Sequence, residues 1–470
     1  MELLPSELKA RVAHFLCAHD LKSLRLVSNQ YAAVAARPLF NVLRLSGRRQ
    51  DDGPWLNAVA AGPLAEYVPP VGRGRTKRFD FSQLDTAVDE ILSFSLERYT
   101  KTLIFDPAFY RERFWSDYRM YLEHEMHEPV ADVEFNDSDS DDDYEGAVQR
   151  AIEHRMTRPE REDETISAAS VVWDTQVAQQ KAKEASIVSA LGRLFQATTA
   201  LETVVIKASE FCGYPGLEAC NSYQIDAQRR DTFSSVFFLH RISEALCSAG
   251  RHLKTLRVSE LLPEKVSSSE SVRHVFTGLE NLRLDILHME ALAEERSLEN
   301  NLPALMTCAQ PTLKSLALVG GGKWIQLSAR GEHSLQKICH GGDGGTPLVF
   351  PKLETLELGG LIMGTSKLIR FMQAQPKLRN LKFYYVHLAT PGYGWPRLAD
   401  ELPESVEQWK VGGELRHEPQ FPQHNADDPV AYNWMQVWRP PYLPDHPRWV
   451  EFESASGLWQ EKTMMRRVTT

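Results

Sequence analysis

Few residues of this chain have the types and spacing that covalent chemistry or metal binding requires. His124 and His127 lie three positions apart in HEMHE, whereas a zinc-binding H-E-x-x-H helix has its histidines four positions apart on one face. We interpret the segment as a solvated helix end, with weak metal binding through the adjacent acids as the alternative. His14 and Cys17 have the residue types of a base and a nucleophile, but the apolar residues between them favour packing within a helix.

The glycine-rich and basic stretches also lack the pattern of a known site. VGGGKW (319–324) does not fit the G-x-x-x-x-G-K-[ST] frame, because Trp324 stands where the magnesium-binding hydroxyl belongs. HGGDGG (340–345) is typical of a flexible loop, and no G-x-S-x-G elbow occurs in the sequence. Basic stretches such as RGRTKR (73–78) are short and lack interleaved aromatic residues, which disfavours nucleic-acid binding. We therefore predict a protein that is not an enzyme and uses no metal or cofactor.

The composition predicts a globular protein of a reducing compartment. Of the 470 residues, 43% are hydrophobic and 25% are charged, and no apolar run approaches the roughly 20 residues that cross a bilayer. The N-terminus lacks a basic segment followed by an apolar stretch, so we expect no signal peptide. Six cysteines are scattered without a C-x-x-C pair. We expect a cytoplasmic and/or nuclear protein that does not contact membranes.

One local tract accounts for the net charge of −10. Residues 123–145 hold eleven Asp and Glu and no Lys or Arg, so the rest of the chain carries a charge of +1. A nearly neutral body argues against steering toward nucleic acid. Few apolar residues and a block of like charge predict an acidic, disordered insertion over 129–175. Ser138 and Ser140 each have an acid three residues downstream, so phosphorylation is the alternative to a plain solvated insertion.

The first 46 residues predict three short helices. Apolar residues recur at i, i+4, i+7 and i+8, the spacing of one helical face, at Leu8, Val12, Phe15 and Leu16. Asp20 is a candidate cap for the second helix and Ser28 for the third, which should end near Pro38. LFNVLRLSG (39–47) then has the composition of a strand.

The same residues resemble the F-box, in the version that fungal proteins carry at their N-terminus. The match consists of Leu4-Pro5-x-Glu7-Leu8, Phe15-Leu16, Asp20-Leu21, Leu24-Arg25-Leu26-Val27-Ser28 and Pro38-Leu39-Phe40, with Asn29 where many members have Lys or Arg. The resemblance implies docking onto a Skp-family linker protein and, through it, onto the cullin of a Skp–cullin–F-box ubiquitin ligase. It places in the apolar groove of the linker the side chains of Leu4, Pro5, Leu8, Leu21, Leu24 and Val27.

The second half of the chain repeats a leucine pattern. Segments that match L-x-x-L-x-L or a close variant begin at Leu201, Leu253, Leu279, Leu313, Leu353, Leu378 and Val406, and a weaker copy, LQKI, begins at Leu335. The pattern resembles leucine-rich repeats, which contribute one strand each. In LETLEL, Leu356 and Leu358 should face the core and Glu357 the opposite side. Each unit needs a neighbour to cover its apolar face, so the copies should stack.

The repeats depart from the family pattern at one position. The Asn or Cys that usually stands three residues after the last repeat leucine is replaced by Leu261, Leu287, Leu361 and Val386. Because an Asn ladder is missing, we expect irregular units. The spacing of 52 residues after Leu201 leaves room for an extra unit or an insertion.

These features predict an α/β chain, with an N-terminal three-helix F-box followed by an irregular leucine-rich-repeat solenoid, a curved parallel sheet with helices outside. The expected regions are the F-box (1–46), a linker with the first solenoid strand and helix (47–128), the insertion (129–175), the solenoid (176–418) and an aromatic cap (419–470). The tail contains Trp434, Trp438, Trp449 and Trp459, which favours an ordered cap over the last strand, with substrate contact as the alternative.

The functional hypothesis is a substrate adaptor that presents a protein bound by the repeats, of unknown identity, for ubiquitination by other subunits. The alternative is a leucine-rich-repeat scaffold outside any ubiquitin ligase, with the N-terminal helices capping the solenoid. A structure distinguishes the two hypotheses. Exposure of Leu4, Pro5, Leu8 and Leu24 favours the adaptor, whereas packing of these residues on the repeat core favours the scaffold.

Overall fold

The computed structural model describes about two thirds of the chain, and all structural statements refer to that part. The described ranges are 5–16, 18–47, 74–79, 84–93, 97–109, 112, 114–116, 118–119, 141–207, 209–210, 234–261, 263–287, 301–321, 347–384, 386–388, 395–412, 415–417, 436–438, 449–453 and 462–466. The helices are α1 (Ser6–Phe15), α2 (Ala18–Leu24), α3 (Asn29–Phe40), α4 (Leu84–Ser93), α5 (Asp141–Ala197), α6 (Ser234–Ser248), α7 (Glu270–Phe276), α8 (Leu302–Ala309), α9 (Thr365–Gln373) and α10 (Trp395–Glu401).

The strands form one large sheet and two small ones. The long strands are β1 (Val42–Gly47), β2 (Gly74–Phe79), β3 (Thr102–Asp106), β5 (Thr203–Ile206), β7 (Thr255–Leu261), β8 (Asn281–Leu287), β9 (Ser315–Gly321), β10 (Thr355–Gly359), β12 (Asn380–Tyr384), β14 (Gln408–Gly412), β17 (Trp449–Glu453) and β18 (Lys462–Arg466). The short strands are β4 (Ala108–Phe109), β6 (Ser209–Glu210), β11 (Ile362–Met363), β13 (His387–Leu388), β15 (Leu415–His417) and β16 (Gln436–Trp438).

The large sheet is built by successive strands that lie side by side in chain order. Nine parallel strands follow one another in this way, namely β1, β3, β5, β7, β8, β9, β10, β12 and β14. Strand β2 adds to the outer edge of β1 in parallel orientation. Stacking of consecutive units in one parallel sheet is an α/β arrangement of the solenoid-like kind.

Each long strand from β5 to β14 begins two residues after the leading Leu or Val of a predicted repeat. The second and fourth residues of these strands are buried on the side of the helices, as Leu356 and Leu358 illustrate. They join residues of α4, α6, α8 and α9 in one continuous core. The strand positions that period-two alternation predicts are therefore those of the structure.

At two gaps in the repeat pattern, the flanking strands of the large sheet pair directly with each other. Strand β9 pairs directly with β10, so the weak copy that begins at Leu335 contributes no strand between them. Strand β5 likewise pairs directly with β7, which makes the spacing after Leu201 an insertion rather than an extra unit. Leu335 itself lies outside the described residues.

A repeated turn precedes each strand and stacks on its neighbours. The carbonyl oxygen of Lys101 accepts hydrogen bonds from the backbone of Glu202 (2.9 Å) and Thr203 (3.0 Å), and that of Glu202 accepts from Lys254 and Thr255 in the same way. The pattern continues through to Glu407. These backbone bonds join one turn to the next along the edge of the sheet where the strands begin.

The side chains of the same turns form a ladder of alternating charge. The residue before each long strand from β3 to β14 is, in order, Lys101, Glu202, Lys254, Glu280, Lys314, Glu354, Arg379 and Glu407. We call this row the charge ladder. Ion pairs join Lys254 Nζ to Glu202 Oε1 (2.8 Å) and Lys314 Nζ to Glu280 Oε2 (2.9 Å). Every rung thus has neighbours of opposite sign.

The positions that lack Asn are filled by apolar side chains. Leu261, Leu361 and Val386 are buried in the continuous core. A buried side-chain amide also links backbone segments. Gln375 Oε1 accepts from the backbone N–H of Phe350 (2.7 Å), and Gln375 Nε2 donates to the carbonyl oxygens of Phe371 (2.8 Å) and Leu348 (2.9 Å).

Short strands follow the long ones and form the two small sheets, β4–β6 and β11–β13–β15–β16. Between β10 and β11, Gly360 adopts a φ of +59° and donates its backbone N–H to the carbonyl of Tyr384 at 2.7 Å. A Cβ on Gly360 would lie 2.6 Å from the carbonyl oxygen of Gly320 in the preceding unit. Only glycine fits this close approach of two backbones.

The predicted disorder over 129–175 is wrong for residues 141–175, which lie in the 57-residue helix α5. The acidic residues 141–143 begin this helix, where the macrodipole favours negative charge. Trp173 is buried and stacks on Phe114, with ring centroids 4.6 Å apart. Arg119 adds an ion pair to Asp163 at 3.0 Å. This packing on a distant segment stabilises the part of α5 that the acidic composition had assigned to the insertion.

The end of the large sheet is covered by an antiparallel extension. Strand β18 pairs with β14, and β17 pairs with β18, so β14 is not an open edge. Trp449 lies in β17 and Trp438 in β16, whereas Trp434 and Trp459 lie outside the described residues. The extension lies where we predicted a cap.

Candidate partner-binding surfaces

The N-terminal helices form a unit with its own small core. Helices α1 and α2 pack on α3 around a cluster formed by Ala13, Leu21, Ala35 and Leu39. Leu16, Leu24, Val34 and Phe40 pack on the margin of the cluster and are half-buried. The cluster is separate from the core of the large sheet. So small a unit buries only a modest apolar area on its own.

Polar contacts fix the three helices to each other. Ser28 Oγ accepts from the backbone N–H of Tyr31 (3.3 Å), which confirms the predicted cap of α3. The other predicted cap is wrong, because α2 begins at Ala18 and Asp20 lies within its first turn. Lys9 is buried between α1 and α3, where its Nζ donates to Gln30 Oε1 at 3.0 Å.

Helix α3 connects the unit to the large sheet. The carbonyl oxygen of Asn41 accepts from the backbone of Lys101 (2.9 Å) and Thr102 (3.0 Å) at the start of β3. Thr100 Oγ1 donates to the carbonyl oxygen of Phe40 at 3.3 Å. Helix α3 also contacts β2. The unit is thus held to the first strands through α3.

The outer surface of the unit is apolar. Five of the eight large hydrophobic side chains that are exposed in the described part of the chain lie in its first 27 residues. We call them the N-terminal apolar surface, which consists of Leu8, Val12, Phe15, Leu26 and Val27. Three lie on α1 at i, i+4 and i+7, and two lie in the turn between α2 and α3. The exposed fractions of Leu8, Val27 and Leu26 are 46%, 66% and 88%.

The residues that the F-box resemblance selects lie in different environments. Pro5, Leu8 and Val27 are exposed. Leu21 is fully buried in the small cluster, and Leu24 is half-buried against it, so these two residues support the surface from inside. Leu4 and the candidate phosphorylation sites Ser138 and Ser140 lie outside the described residues.

Val12 and Leu26 were not among the selected partner contacts. Val12 shares the periodic face of α1 with Leu8, so the helical spacing contains the signal that identifies it. Leu26 follows α2 in a turn, where no periodicity distinguishes an outward side chain from an inward one. Its exposure could be found only from the packing of the three helices.

The face of the large sheet opposite the helices carries a charged cluster, defined by Arg257, Arg283, Asp285, Glu357 and Lys382. Arg283 Nη1 donates to Glu357 Oε1 at 2.7 Å, and Arg283 Nε donates to Asp285 Oδ1 at 3.1 Å. Lys382 Nζ lies 3.6 Å from Glu357 Oε2. Glu357 points away from the helical core, as predicted, but it is buried rather than solvated.

Burial sets the electrostatics of this cluster. Desolvation raises the pKa of Asp285, and the neighbouring Arg283 opposes that shift. Desolvation also lowers the pKa of Arg257, and the like charge of Arg283 acts in the same direction. Buried charges of this kind are tolerated where each has an opposite partner. The cluster therefore joins β7, β8, β10 and β12 electrostatically.

A histidine between two helical units is held in its neutral form. His240 Nε2 accepts from the backbone N–H of Ser267 at 3.1 Å. Desolvation lowers the pKa of His240, and nearby Arg241 acts in the same direction while Glu244 opposes it. Protonation of the ring would remove the acceptor and break this bond.

Two features are absent from the described residues, a candidate metal cluster and a membrane-spanning helix. No group of three or more His, Cys, Asp or Glu side chains that could hold a metal ion occurs within them. None of the described helices combines the length and the hydropathy that crossing a membrane requires. Residues His124 and His127, the loop 340–345 and the side chains of His14 and Cys17 lie outside the description.

Comparison with known proteins returns no match: no family model fits the chain, and no curated protein is significantly similar to it.

Proposed function

We propose that this protein is a substrate adaptor of a Skp–cullin–F-box ubiquitin ligase. The three N-terminal helices would act as an F-box that docks onto a Skp-family linker, and through it onto a cullin. The stacked strand units would be an irregular leucine-rich-repeat solenoid that holds a protein substrate. In this role the chain performs no covalent chemistry, and it contributes by raising the local concentration of the substrate near the transfer machinery.

The observation that carries the proposal is the exposure of Leu8, Leu26 and Val27 on a unit with its own core. Burying a large aliphatic side chain stabilises by about 1.5–3 kcal/mol, so covering this exposed surface with a partner would stabilise the complex substantially. If the helices merely capped the solenoid, these side chains would pack on the core of the large sheet. That core and the small cluster are separate.

The structure changes which variant tests the proposal best. Leu24→Asp, the natural choice from the resemblance, would place a charge against the small cluster and unfold the helices. Leu26→Asp alters a side chain that is 88% exposed, so the fold should tolerate it. Val171→Asp is the matched control, because Val171 is a similarly exposed aliphatic residue on α5.

The experiment measures binding of the full chain to a purified Skp-family linker by titration calorimetry. We expect Leu26→Asp to weaken the affinity at least about tenfold, since a charge would replace a buried contact, while Val171→Asp binds like the unaltered chain. Melting curves of both variants check that the fold is retained. Equal affinity of all three proteins, or no binding of the unaltered chain, would show that the surface does not dock on this linker.

A further inference from the structure

The N-terminal apolar surface is bordered by two cations that have no acidic partner among the side chains that the structure describes. Arg11 lies on α1 three residues after Leu8 and four before Phe15, the spacing of adjacent side chains on a helix. Lys22 lies on α2 four residues before Leu26. Both cations are exposed, and neither forms an ion pair with any acid whose side chain is described. This differs from the charge ladder, where the cations have acidic neighbours.

The N-terminal segment as a whole is also slightly basic. Residues 1–40 contain five Lys and Arg against three Asp and Glu. Of the three acids, the one whose side chain is described is Asp20, and its Oδ1 lies 3.8 Å from Nδ1 of the adjacent His19. A cationic border around an apolar surface favours a partner with the complementary arrangement, an apolar groove with an acidic rim.

We propose that the partner docking on the N-terminal apolar surface has an acidic rim, and that Arg11 and Lys22 attract that rim. This inference rests on the proposed function and names the chemistry of the partner. Charges at the border of an interface act mainly on the rate of association, because attraction operates before the apolar side chains meet. The apolar contacts then determine how long the complex lasts.

The experiment follows association and dissociation of the full chain with a purified Skp-family linker by stopped-flow fluorescence, at low and high salt. The charge-reversal variant combines Arg11→Glu with Lys22→Glu. Its matched control is Arg370→Glu, which reverses an exposed cation on the distant helix α9. Leu26→Asp reports separately on the apolar contact.

We expect the association rate of the unaltered chain to fall with salt, and the double reversal to lower it about tenfold at low salt with little change in dissociation. Arg370→Glu should leave both rates unchanged. If association does not depend on salt and the double reversal does not alter it, the proposal of an acidic rim is wrong. A loss of binding in Leu26→Asp would in that case still support the proposed function. A linker that never binds would overturn both. A dimer of this chain in light scattering, abolished by Leu26→Asp, would show that a second copy occupies the surface.

Discussion

Arg283 and Glu357 pair across an intervening strand. The two residues lie on β8 and β10, in register with Ala317 of β9 between them, and their side chains meet at 2.7 Å above that alanine. The small side chain of Ala317 leaves room for the contact. This ion pair therefore joins three successive units on the face opposite the helices.

Removing one partner of this pair should be costly. Glu357→Gln would leave the buried Arg283 guanidinium without its closest negative charge, so we expect the free energy of unfolding to fall by about 3 kcal/mol in urea titrations. Arg379→Gln is the control, because its pair with Glu407 is exposed at 3.6 Å and should contribute less than about 1 kcal/mol. Equal effects of the two substitutions would mean that the buried pair has no special role.

The amide of Gln375 should act as a structural clamp. Gln375→Leu keeps the volume but leaves the N–H of Phe350 and two carbonyl oxygens without their partner, so we expect a loss of about 3 kcal/mol of unfolding free energy. Gln373→Leu, at the last residue of α9, removes one exposed contact to the carbonyl of Glu401 and should change stability little. A neutral Gln375→Leu would show that the clamp is dispensable.

The pKa of His240 predicts a dependence of stability on pH. The folded pKa is lowered, so the stabilisation by the neutral ring is present above the unfolded pKa, about 6.5, and is lost as the pH falls below it. We expect the unfolding free energy to decrease between about pH 7 and pH 5. His240→Gln keeps an acceptor for Ser267 and does not titrate, so this variant should show a shallower decrease. An identical pH profile would contradict the assignment.

Reversing the charge of Lys254 in the charge ladder should make the melting temperature of the protein depend on salt. The hydrogen bond between Lys254 and Glu202 lowers the pKa of Glu202 and raises that of Lys254. The carboxylate contribution is present above the usual Glu pKa and is lost as the pH falls below it, while the Lys254 contribution is lost only above the usual Lys pKa. Lys254→Glu places three acids in a row, so we expect a lower melting temperature at low salt that recovers at high salt. Lys254→Gln should show a smaller effect, and a salt-independent loss in both variants would exclude an electrostatic cause.

The strands of the large sheet could be predicted from the sequence because period-two alternation with a leading leucine is a local signal. Leu356 and Leu358 face the core for that reason. The alternating charges from Glu202 to Glu407 could equally be recognised in the sequence, since each follows the leading Leu or Val of a repeat, but their pairing appears only when the units are stacked. The acidic composition assigned residues 141–175 of α5 to the disordered insertion, because the packing of Trp173 on Phe114 joins segments far apart in sequence and leaves no local signal.

The candidate surface was only partly predictable. Helical spacing places Leu8 and Val12 on one face of α1, but it does not say whether that face points to solvent. Leu21 and Leu26 both belong to the F-box-like pattern, and packing of the helices buries one and exposes the other. Local periodicity contains no information on that choice, because it depends on how the three helices pack on each other.

Hydrogen exchange of the full chain, with and without a purified Skp-family linker, tests most directly whether the N-terminal apolar surface is where the partner binds. We expect new protection over α1 and the turn after α2, with the amides of β10, β12 and β14 unchanged. Saturating linker that leaves residues 5–28 unprotected, or protects only the large sheet, would contradict docking through these helices.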